Sequence, residues 1–509
     1  MFRYMKTFPE YEQYDALALA ELVKKGEVSP KELLAEANER LSKINHKYNA
    51  VIYQDNSFAE TLINNLDKNS LFCGVPFLVK DLMLAFKGMP MSNGSNAMKS
   101  YVPNENNRMA DQLNSAGLIT FGKTTTSEIG NSPITKTTAF GATLNPWDIS
   151  KNSGGSSGGS SVVVASRVVP MAYSSDGGGS IRLPASYCGI FGFKPSQGLN
   201  KYEDMTKAWA GAVVSHVSTI SVRDSAAYLD MVAGNLGNDY SILNPKENSY
   251  LFSATCEEKK LKIGLITESP IKTKVHAECI KGAELAAKYC EDLGHDVEAT
   301  QWNFDGRELM RAFIIIVIHY THGNIIDMAT LFGVKENELD IELNTKFMSI
   351  AGSGISQDKV NQALKIWKTT SQKMSILHQK YDVILTPTVA TLPLTSNALE
   401  FNVFEKLLLK FLIVTGLGKN AIYKNTLEIL IDKLLYHMPF TPIANITGQP
   451  AMSVPLYWDQ NGLPHGAHFM AAVGNDKVLF MLAKQLESEH SWQNKIPSHV
   501  GSVKQVLLK

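Results

Sequence analysis

The sequence lacks an excess of charge of either sign. Its 49 lysine and arginine residues balance 49 aspartate and glutamate residues. A protein that binds nucleic acid needs a basic excess, or a basic run that can follow a phosphate backbone. Neither is present, so we expect no nucleic-acid partner.

Cysteine is scarce as well. A disulfide framework or a zinc site would need paired or clustered cysteines. The number of cysteines is odd and none are spaced as Cys-x-x-Cys, which predicts reduced thiols and no metal site in a cytoplasmic protein. The five cysteines are Cys73, Cys188, Cys256, Cys279 and Cys290.

Long apolar runs are also missing. The most apolar run, residues 312–318, is far shorter than the ~20 residues that cross a bilayer. No apolar segment of the secretory type follows Met1–Lys6. Because 44% of the residues are hydrophobic, we expect a soluble protein with a large core.

The chain does contain an alternation of strand-like and helix-like segments. Apolar strand-like runs at residues 74–80, 118–123 and 381–387 are separated by helical patterns such as residues 277–293. This order predicts an α/β fold in which a central mixed, twisted sheet is covered by helices on both faces. No internal repeat or long linker interrupts it, so we expect a single domain over residues 1–509.

Residues 401–437 are unusually apolar. Two helix-like segments flank Gly416-Leu417-Gly418, which predicts a helical hairpin inserted between two strands. Such a hairpin either packs against the body of the protein or serves as a lid over a substrate cleft or as a membrane-facing cap.

The region poorest in charge holds two glycine-rich stretches. Residues 154–160 read GGSSGGS and residues 176–182 read DGGGSIR, with Ser156 in the first and Ser180 in the second. A solvated linker would carry more charge and would not enclose the apolar run at residues 162–165. The stretches therefore predict buried structure, and their hydroxyls and small residues suit acyl transfer.

Three interpretations of these stretches compete. Ser156 lies in a G-x-S-x-G motif, typical of the nucleophile elbow of α/β-hydrolases, but residues 147–152 before it resemble a turn rather than the required strand. Neither stretch is followed by the lysine of a phosphate-binding loop. The third interpretation is a serine activated by a neutral lysine, and Lys80 ends an apolar strand. Burial can lower a lysine pKa by about 3–5 units. The alternative is that Lys80 is an ordinary exposed lysine at the end of a strand.

Together with other segments, these motifs resemble the amidase signature hydrolases. The resemblance extends from about residue 15 to about residue 490. It implies the amidase signature fold and the hydrolysis of a carboxylic amide without a cofactor. The matching segments are residues 74–81, 122–124, 145–148, 154–160, 176–185, 192–195, 385–388, 445–451 and 462–466.

The resemblance also implies a role for each polar residue. Ser180 is the nucleophile, Ser156 is a bridging serine that follows a cis peptide bond, and Lys80 is the base. An acyl-enzyme forms and is cleared by water. The resemblance further implies that backbone N–H groups next to the nucleophile stabilise the oxyanion. These groups belong to Gly177, Gly178, Gly179 and Ser180.

Two further residues flank the nucleophile at positions that match the family. We expect Asp176 and Arg182 to form an ion pair that holds the loop. Gly177 departs from the family pattern, in which threonine or isoleucine is usual. The glycine predicts either a more mobile loop or a wider acyl side.

The substrate is less constrained than the reaction. Residues 141–147, 220–224 and 448–451 resemble the branch that contains the nylon-oligomer cyclic-dimer hydrolase, which indicates small aliphatic amides. A glutaminase subunit of a tRNA-dependent amidotransferase would carry Ser-Leu-Asp-Gln where residues 210–216 stand here. A fatty-acyl amide would suit the apolar hairpin instead. We expect a small-molecule amide as partner, while a homodimer and membrane contact by residues 401–437 stay open.

Overall fold

The computed structural model describes most of the chain, and every structural statement below refers to that part. The four cysteines in the described part are buried and form no disulfide bond, whereas Cys256 lies outside the described residues. The described residues are 8–202, 204–234, 249–255, 260–420 and 424–498.

A mixed sheet of 11 strands forms the centre of the fold, which confirms the predicted α/β architecture. The strands of the described part are β1 (Val51–Gln54), β2 (Val75–Lys80), β3 (Leu118–Thr124), β4 (Lys136–Thr137), β5 (Gly141–Ala142), β6 (Met171–Asp176), β7 (Phe191–Lys194), β8 (Val214–Thr219), β9 (Lys262–Leu265), β10 (Asp296–Ala299), β11 (Val383–Pro387), β12 (Ala451–Trp458) and β13 (Pro464–Ala471). In the main sheet the strand order is β1-β3-β2-β6-β8-β7-β12-β13-β11-β9-β10, and β4 and β5 form a separate pair.

Helices cover both faces of this sheet. The predicted helix at residues 277–293 is confirmed, ending one residue early. The helices of the described part are α1 (Ala16–Lys25), α2 (Pro30–Tyr48), α3 (Asn56–Asn64), α4 (Arg108–Ser115), α5 (Gly158–Ala165), α6 (Arg182–Cys188), α7 (Val222–Ala233), α8 (Tyr250–Ser253), α9 (Ala277–Asp292), α10 (Gly306–Phe332), α11 (Leu343–Ser353), α12 (Gln357–Lys380), α13 (Val403–Val414), α14 (Lys424–Leu430), α15 (Thr441–Ile446) and α16 (Asp476–Glu489).

The sheet separates two apolar cores. Successive side chains of a strand point to opposite faces, so neighbours along one strand belong to different cores. In β11, Val383 and Leu385 join the larger core, while Ile384 joins the core under α10 and α12. In β13, Phe469 and Met470 divide in the same way. Two buried faces explain why these strands read as continuous apolar runs.

Two central strands, β6 and β8, have no apolar pattern that would predict them. Both are buried over their whole length although they contain several hydroxyl side chains. The hydroxyls are satisfied inside the sheet, since Ser174 and Ser218 hydrogen-bond across the two strands at 2.9 Å. Buried polar groups of this kind are tolerated once they are paired, and pairing depends on the fold.

The sheet topology places the chemistry-bearing residues at one edge. β2 runs parallel to β3 and to β6, with Val79 opposite Tyr173. Because parallel strands end at the same edge of a sheet, Lys80 at the end of β2 lies beside the end of β6. The loop that carries Ser180, residues 177–181, begins at that end, after Asp176.

The predicted hairpin is helical and lies between β11 and β12. It consists of α13, a short 3-10 turn, and α14, which continues as a π-helical turn at Ile431–Leu435. Residues 421–423 fall outside the described part.

One helix of the described part, α10, is long and apolar enough to cross a membrane by length and composition. Half of its most apolar window is buried, and the helix packs against α11 and α12. This packing is that of a core helix. The seven-residue apolar run noted in the sequence is therefore one part of a 27-residue helix that is about half buried.

Candidate active site

Lys80 occupies a fully buried position at the end of β2. Its Nζ lies 2.7 Å from Ser156 Oγ and 2.9 Å from Ser175 Oγ. Burial lowers the pKa of Lys80 from 10.5 to about 7, against the opposing effect of the Asp176 carboxylate. A large share of this amine is thus neutral near pH 7, and a neutral amine can accept a proton.

Ser156 is held by the backbone turn before α5. The Gly155–Ser156 peptide bond is cis. A side chain at position 155 would lie 2.7 Å from the Ser132 carbonyl oxygen, so the close approach of two backbones requires glycine there. Thr135 ties the turn down, because its hydroxyl donates to the Gly154 carbonyl at 2.8 Å.

The two glycine-rich stretches meet directly. The Ser157 N–H donates to the Ser180 carbonyl at 3.2 Å, and the Ser157 hydroxyl donates to the Ser175 carbonyl at 3.1 Å. Every residue from 152 to 193 is buried except Ser180, which is partly exposed. The folded chain therefore presents one hydroxyl of this region to the solvent side of the sheet edge.

A buried ion pair holds the loop that carries Ser180. Arg182 donates to both carboxylate oxygens of Asp176, at 3.0 and 2.9 Å, and both side chains are fully buried. The pair holds the pKa of Asp176 well below its usual range, against the effect of burial. Buried charges persist only with such paired and hydrogen-bonded partners.

Two residues that the sequence analysis did not single out complete this network. Asn445 donates to the Asp176 carboxylate at 2.9 Å and accepts from Arg182 at 2.6 Å. His468 accepts from the third nitrogen of Arg182 at 2.9 Å. Burial lowers the pKa of His468 well below its usual value, in keeping with a neutral acceptor. Each side chain comes from a distant strand or helix, so no local sequence signal links it to the loop.

The backbone N–H groups of the loop that carries Ser180 differ in their hydrogen bonding. The Gly179 N–H donates to Asp176 Oδ1 at 2.7 Å, so in this conformation it is engaged within the protein. The Gly178 and Ser180 N–H groups form no hydrogen bond within the described residues. The Gly178 and Ser180 N–H groups are therefore available to a ligand in this conformation, and the oxyanion role implied by the resemblance stays a prediction.

Gly179 is required at its position for a second reason. Its φ of 129° lies in a region that favours glycine, and a Cβ there would lie 2.2 Å from Thr441 Oγ1. The Thr441 hydroxyl also donates to the Gly178 carbonyl at 2.8 Å. The loop is thereby fixed from the side of α15.

The absence of a side chain at Gly177 does not leave extra space for the acyl group of a substrate, which was one of the two effects predicted from the sequence. A Cβ at this position would lie 2.8 Å from the ring of Trp209, so the indole occupies the space that a larger residue would fill. Trp209 packs edge-to-face on Phe313 of α10, with ring centroids 5.9 Å apart. The missing side chain at position 177 is thus replaced by an aromatic wall from another part of the chain.

Ser180 opens into a narrow cavity of about 80 Å³. None of the described residues that line this cavity is charged. The polar lining consists of Asn131, Ser132 and Asn344 beside Ser180 itself. The apolar lining comes mainly from α10, α11 and the hairpin, and includes Trp209, Phe313, Val317, Met348, Leu434 and Met438.

The geometry therefore brings Lys80 and Ser156 into hydrogen-bond contact, with Ser180 on the adjoining loop. It adds Ser175, the penultimate residue of β6, which precedes Asp176 and the loop. Ser175 could have been suspected only from this position, because a hydroxyl in a strand carries no functional signal by itself.

Sequence comparison decides the family. The Amidase family profile matches residues 32–480. The chain belongs to the amidase family. It is an amidohydrolase of the amidase signature type, acting on carbon–nitrogen bonds of amides.

Named relatives of this amidase cover nearly its whole length. The 6-aminohexanoate-cyclic-dimer hydrolase of Paenarthrobacter ureafaciens is 30% identical over 491 residues, covering 95% of this chain and 96% of that protein. The lipoamidase of Enterococcus faecalis is 31% identical over 486 residues, covering 94% of this chain but 64% of that protein.

Solved structures give the same result for the fold. The amidase aligns with the structure of 6-aminohexanoate cyclic dimer hydrolase at a TM-score of 0.85 and 28% identity, over 96% of this chain and 99% of the other. A bacterial aryl acylamidase aligns at 0.81 with 23% identity, over 96% and 98%, which supports the fold alone.

Proposed function

We propose that this amidase cleaves its substrate through Ser180 as nucleophile, Ser156 as proton bridge and Lys80 as base. The observation that carries the proposal is the 2.7 Å contact between Lys80 Nζ and Ser156 Oγ. The lysine of that pair has a pKa lowered to about 7 by burial. A base is most effective when its pKa lies near the working pH.

The first half of the reaction forms an acyl-enzyme. Lys80 Nζ takes the Ser156 proton while Ser156 Oγ takes the proton of Ser180, whose oxygen attacks the amide carbonyl carbon. The negative charge that develops on the carbonyl oxygen is met by the free N–H groups of Gly178 and Ser180, with Gly177 as a further donor. When the C–N bond breaks, Lys80 returns its proton through Ser156 to the leaving nitrogen.

The second half regenerates the enzyme. Water attacks the Ser180 ester and gives up a proton through Ser156 to Lys80. The ester C–O bond breaks, Ser180 recovers its proton, and a carboxylic acid leaves. The balance needs no oxidant and no cofactor.

The acyl group of the substrate is uncharged. A charged acyl chain would lose its hydration in the cavity and find no charged partner among the described lining residues. The narrow volume and the aromatic wall favour a small aliphatic or unbranched acyl group. The names of the two curated relatives, a cyclic-dimer hydrolase and a lipoamidase, agree with an apolar acyl chain.

A panel of amides tests this proposal. Straight-chain acyl amides of increasing length, matched with ω-carboxylated acyl amides, are compared by release of ammonia or amine. We expect an optimum within the uncharged series and a lower kcat/KM for every carboxylated partner. Equal rates for the two series would contradict the assigned acyl site.

Covalent labelling tests the nucleophile separately. A fluorophosphonate probe should modify Ser180, as located by peptide mass spectrometry, and Lys80→Ala should abolish the labelling. Labelling of Ser156 instead, or unchanged labelling of the Lys80 variant, would remove the lysine-based relay and favour a serine–histidine enzyme.

A second candidate, a fatty-acyl amide hydrolase with a membrane-facing cap, is favoured by the surface of α13. One stripe of this helix leaves six apolar side chains exposed, and its neighbour α14 leads into the cavity wall. An exposed apolar patch of this kind marks an interaction site. The six residues are Val403, Phe404, Leu407, Leu408, Phe411 and Val414.

Liposome flotation distinguishes this candidate. The wild type should float with neutral vesicles, and a Phe404→Ser/Leu407→Ser/Phe411→Ser variant should not. If the wild type stays unbound, the membrane cap is excluded. Sedimentation of the same variant shows whether the stripe serves a homodimer instead.

A glutaminase subunit is the remaining alternative from the sequence. Purified protein should release no ammonia from glutamine and should carry no stoichiometric partner chain. Glutamine hydrolysis that rises when a partner chain is present would favour the amidotransferase assignment.

A further inference from the structure

We propose that the side-chain carbonyl of Asn131 accepts a hydrogen bond from the N–H of the amide that is being cleaved. It would thereby favour amides over esters of the same acid. This inference rests on the proposed function, since it assigns a second contact to the substrate that Ser180 attacks. Asn131 lies in the loop after β3 and lines the same cavity as Ser180.

The orientation of the Asn131 amide is fixed by a neighbour. The Thr321 hydroxyl donates its single hydrogen to the Val317 carbonyl one turn earlier in α10, at 2.8 Å. Towards Asn131 that hydroxyl can only accept, and Asn131 Nδ2 lies 2.8 Å from it. The NH₂ group therefore faces Thr321, and Oδ1 faces the other way.

Asn131 Oδ1 is buried and has no hydrogen-bond partner among the described residues. Leaving a buried carbonyl unpaired is unfavourable, and most such groups in folded proteins are paired. The other unpaired buried side-chain atoms of the described part belong to residues that do not line this cavity. A ligand that brings an N–H donor into the cavity would satisfy Asn131 Oδ1.

The position of the loop points to the N–H of the scissile bond. A Cβ built on the preceding residue, Gly130, would lie 3.5 Å from Ser156 Oγ. Asn131 thus begins beside the serine that delivers a proton to the leaving nitrogen. During that transfer the lone pair of the nitrogen faces Ser156, and its N–H bond must point elsewhere.

An ester differs from an amide at this atom. Its leaving oxygen carries no hydrogen, so an acceptor aimed at it gains nothing and faces another lone pair. A hydrogen bond made to the scissile N–H therefore discriminates between the two substrates in the transition state. Thr321 acts as a positioning residue, because it holds the acceptor in place without touching substrate.

The test compares an anilide and a phenyl ester of the same acyl group. We expect Asn131→Leu to lower kcat/KM for the anilide by about 10- to 100-fold, and for the ester by no more than about threefold. Thr321→Val should shift the amide-to-ester ratio in the same direction by a smaller factor. Asn114→Leu is the matched control, since Asn114 Oδ1 is also buried and unpaired but lies in α4, away from the cavity.

The outcomes separate this inference from the proposed function. An equal loss of both activities in Asn131→Leu, at an unchanged melting temperature, would overturn the hydrogen bond and leave the relay intact. Unchanged anilide hydrolysis in that variant would overturn it as well. If the wild type hydrolyses neither substrate, or Lys80→Ala hydrolyses both normally, the proposed function itself fails. If Asn131→Leu does not fold, the ratio of anilide to ester kcat/KM in Thr321→Val tests the inference instead, and an unchanged ratio would overturn it.

Discussion

Two parts of the candidate site, the sheet edge beneath Ser180 and the helical wall of the cavity, are built on different principles. At the sheet edge, Lys80, Ser156, Ser175 and Asp176 are buried polar groups that hydrogen-bond to one another or to the loop that carries Ser180. On the helical side, α10, α11 and the hairpin line the cavity with apolar side chains, and α13 of the hairpin exposes further apolar side chains at the surface. The sheet edge depends on individual hydrogen bonds between particular atoms, whereas the helical wall depends only on the volume and polarity of its side chains.

The difference shows where the chain tolerates change. Removing one partner from a buried hydrogen-bonded network leaves another group unsatisfied, at a cost that packing cannot recover. An apolar wall accepts other apolar residues of similar volume. The reaction is thus fixed at the sheet edge, whereas the helical wall can adapt to different acyl groups.

The largest effect should come from Ser180, the proposed nucleophile. Ser180→Ala is expected to lower kcat by at least about 10⁴-fold, since removal of one member disables a catalytic unit. The melting temperature should change little, because Ser180 is the partly exposed residue of its buried region. Ser161→Ala is the matched control, as its buried hydroxyl has no partner in the described part. Substantial turnover by the Ser180 variant would place the nucleophile elsewhere.

The loop ion pair should have the next largest effect. Asp176→Ala leaves the buried Arg182 guanidinium without its counter-charge and is expected to reduce the free energy of unfolding by about 3–5 kcal/mol. Glu39→Ala, which breaks the exposed Lys43–Glu39 pair, should change it by less than about 1 kcal/mol. Urea denaturation of both variants measures the contrast. Similar values for the two would show that the buried network does not hold the loop.

The pH dependence should follow Lys80. Its folded pKa of about 7 predicts that kcat/KM falls about tenfold per unit below pH 7 and is level above it, since the protonated amine cannot accept a proton. The free energy of unfolding should likewise increase as the pH rises. The unfolded chain keeps the lysine proton up to about pH 10.5, so the cost of burying the charge is full below pH 7 and diminishes as pH rises from 7 to 10.5.

A control is needed because a second buried group titrates nearby. Burial raises the pKa of Glu128 to about 7, and this carboxylate accepts from Ser95 and Thr345. Glu128→Gln should leave the acidic limb of kcat/KM in place. Loss of the limb in that variant would assign the titration to Glu128 rather than to Lys80.

The smallest effect should come from the outer face of the hairpin. Leu408 is 47% exposed, and Leu408→Ala should change the free energy of unfolding by less than about 0.5 kcal/mol. The adjacent Leu409 is 8% exposed, and Leu409→Ala should cost about 2–3 kcal/mol. Equal costs would mean that the exposed stripe of α13 is covered by another surface in solution.

Many of the site residues could be predicted from the sequence because they lie in short segments with a recognisable composition. The glycine-rich stretches keep their identity in sequence, since only small residues fit where backbones approach closely, as at Gly155 and Gly179. The apolar run before Lys80 indicated burial, and burial is what lowers the lysine pKa. The α/β architecture followed from alternating apolar segments and is confirmed.

Other parts could not be read because their partners are distant in the chain. Asn445 and His468 lie more than 260 residues from the arginine they contact. Trp209 fills the space at Gly177, and the effect of that glycine could not be judged without it. The engagement of the Gly179 N–H by Asp176 depends on the shape of the loop.

The sequence by itself determined the family, the α/β class and the residues able to carry acyl transfer, because hydroxyls, small residues and apolar runs are properties of short segments. The tertiary structure decided which of these groups meet. Parallel β2 and β6 end at one edge and set Lys80 against Ser156 and Ser175. It also decided which polar atoms stay unpaired: Asn131 directs its NH₂ group to Thr321, whose hydroxyl donates to Val317, and its buried carbonyl has no partner among the described residues.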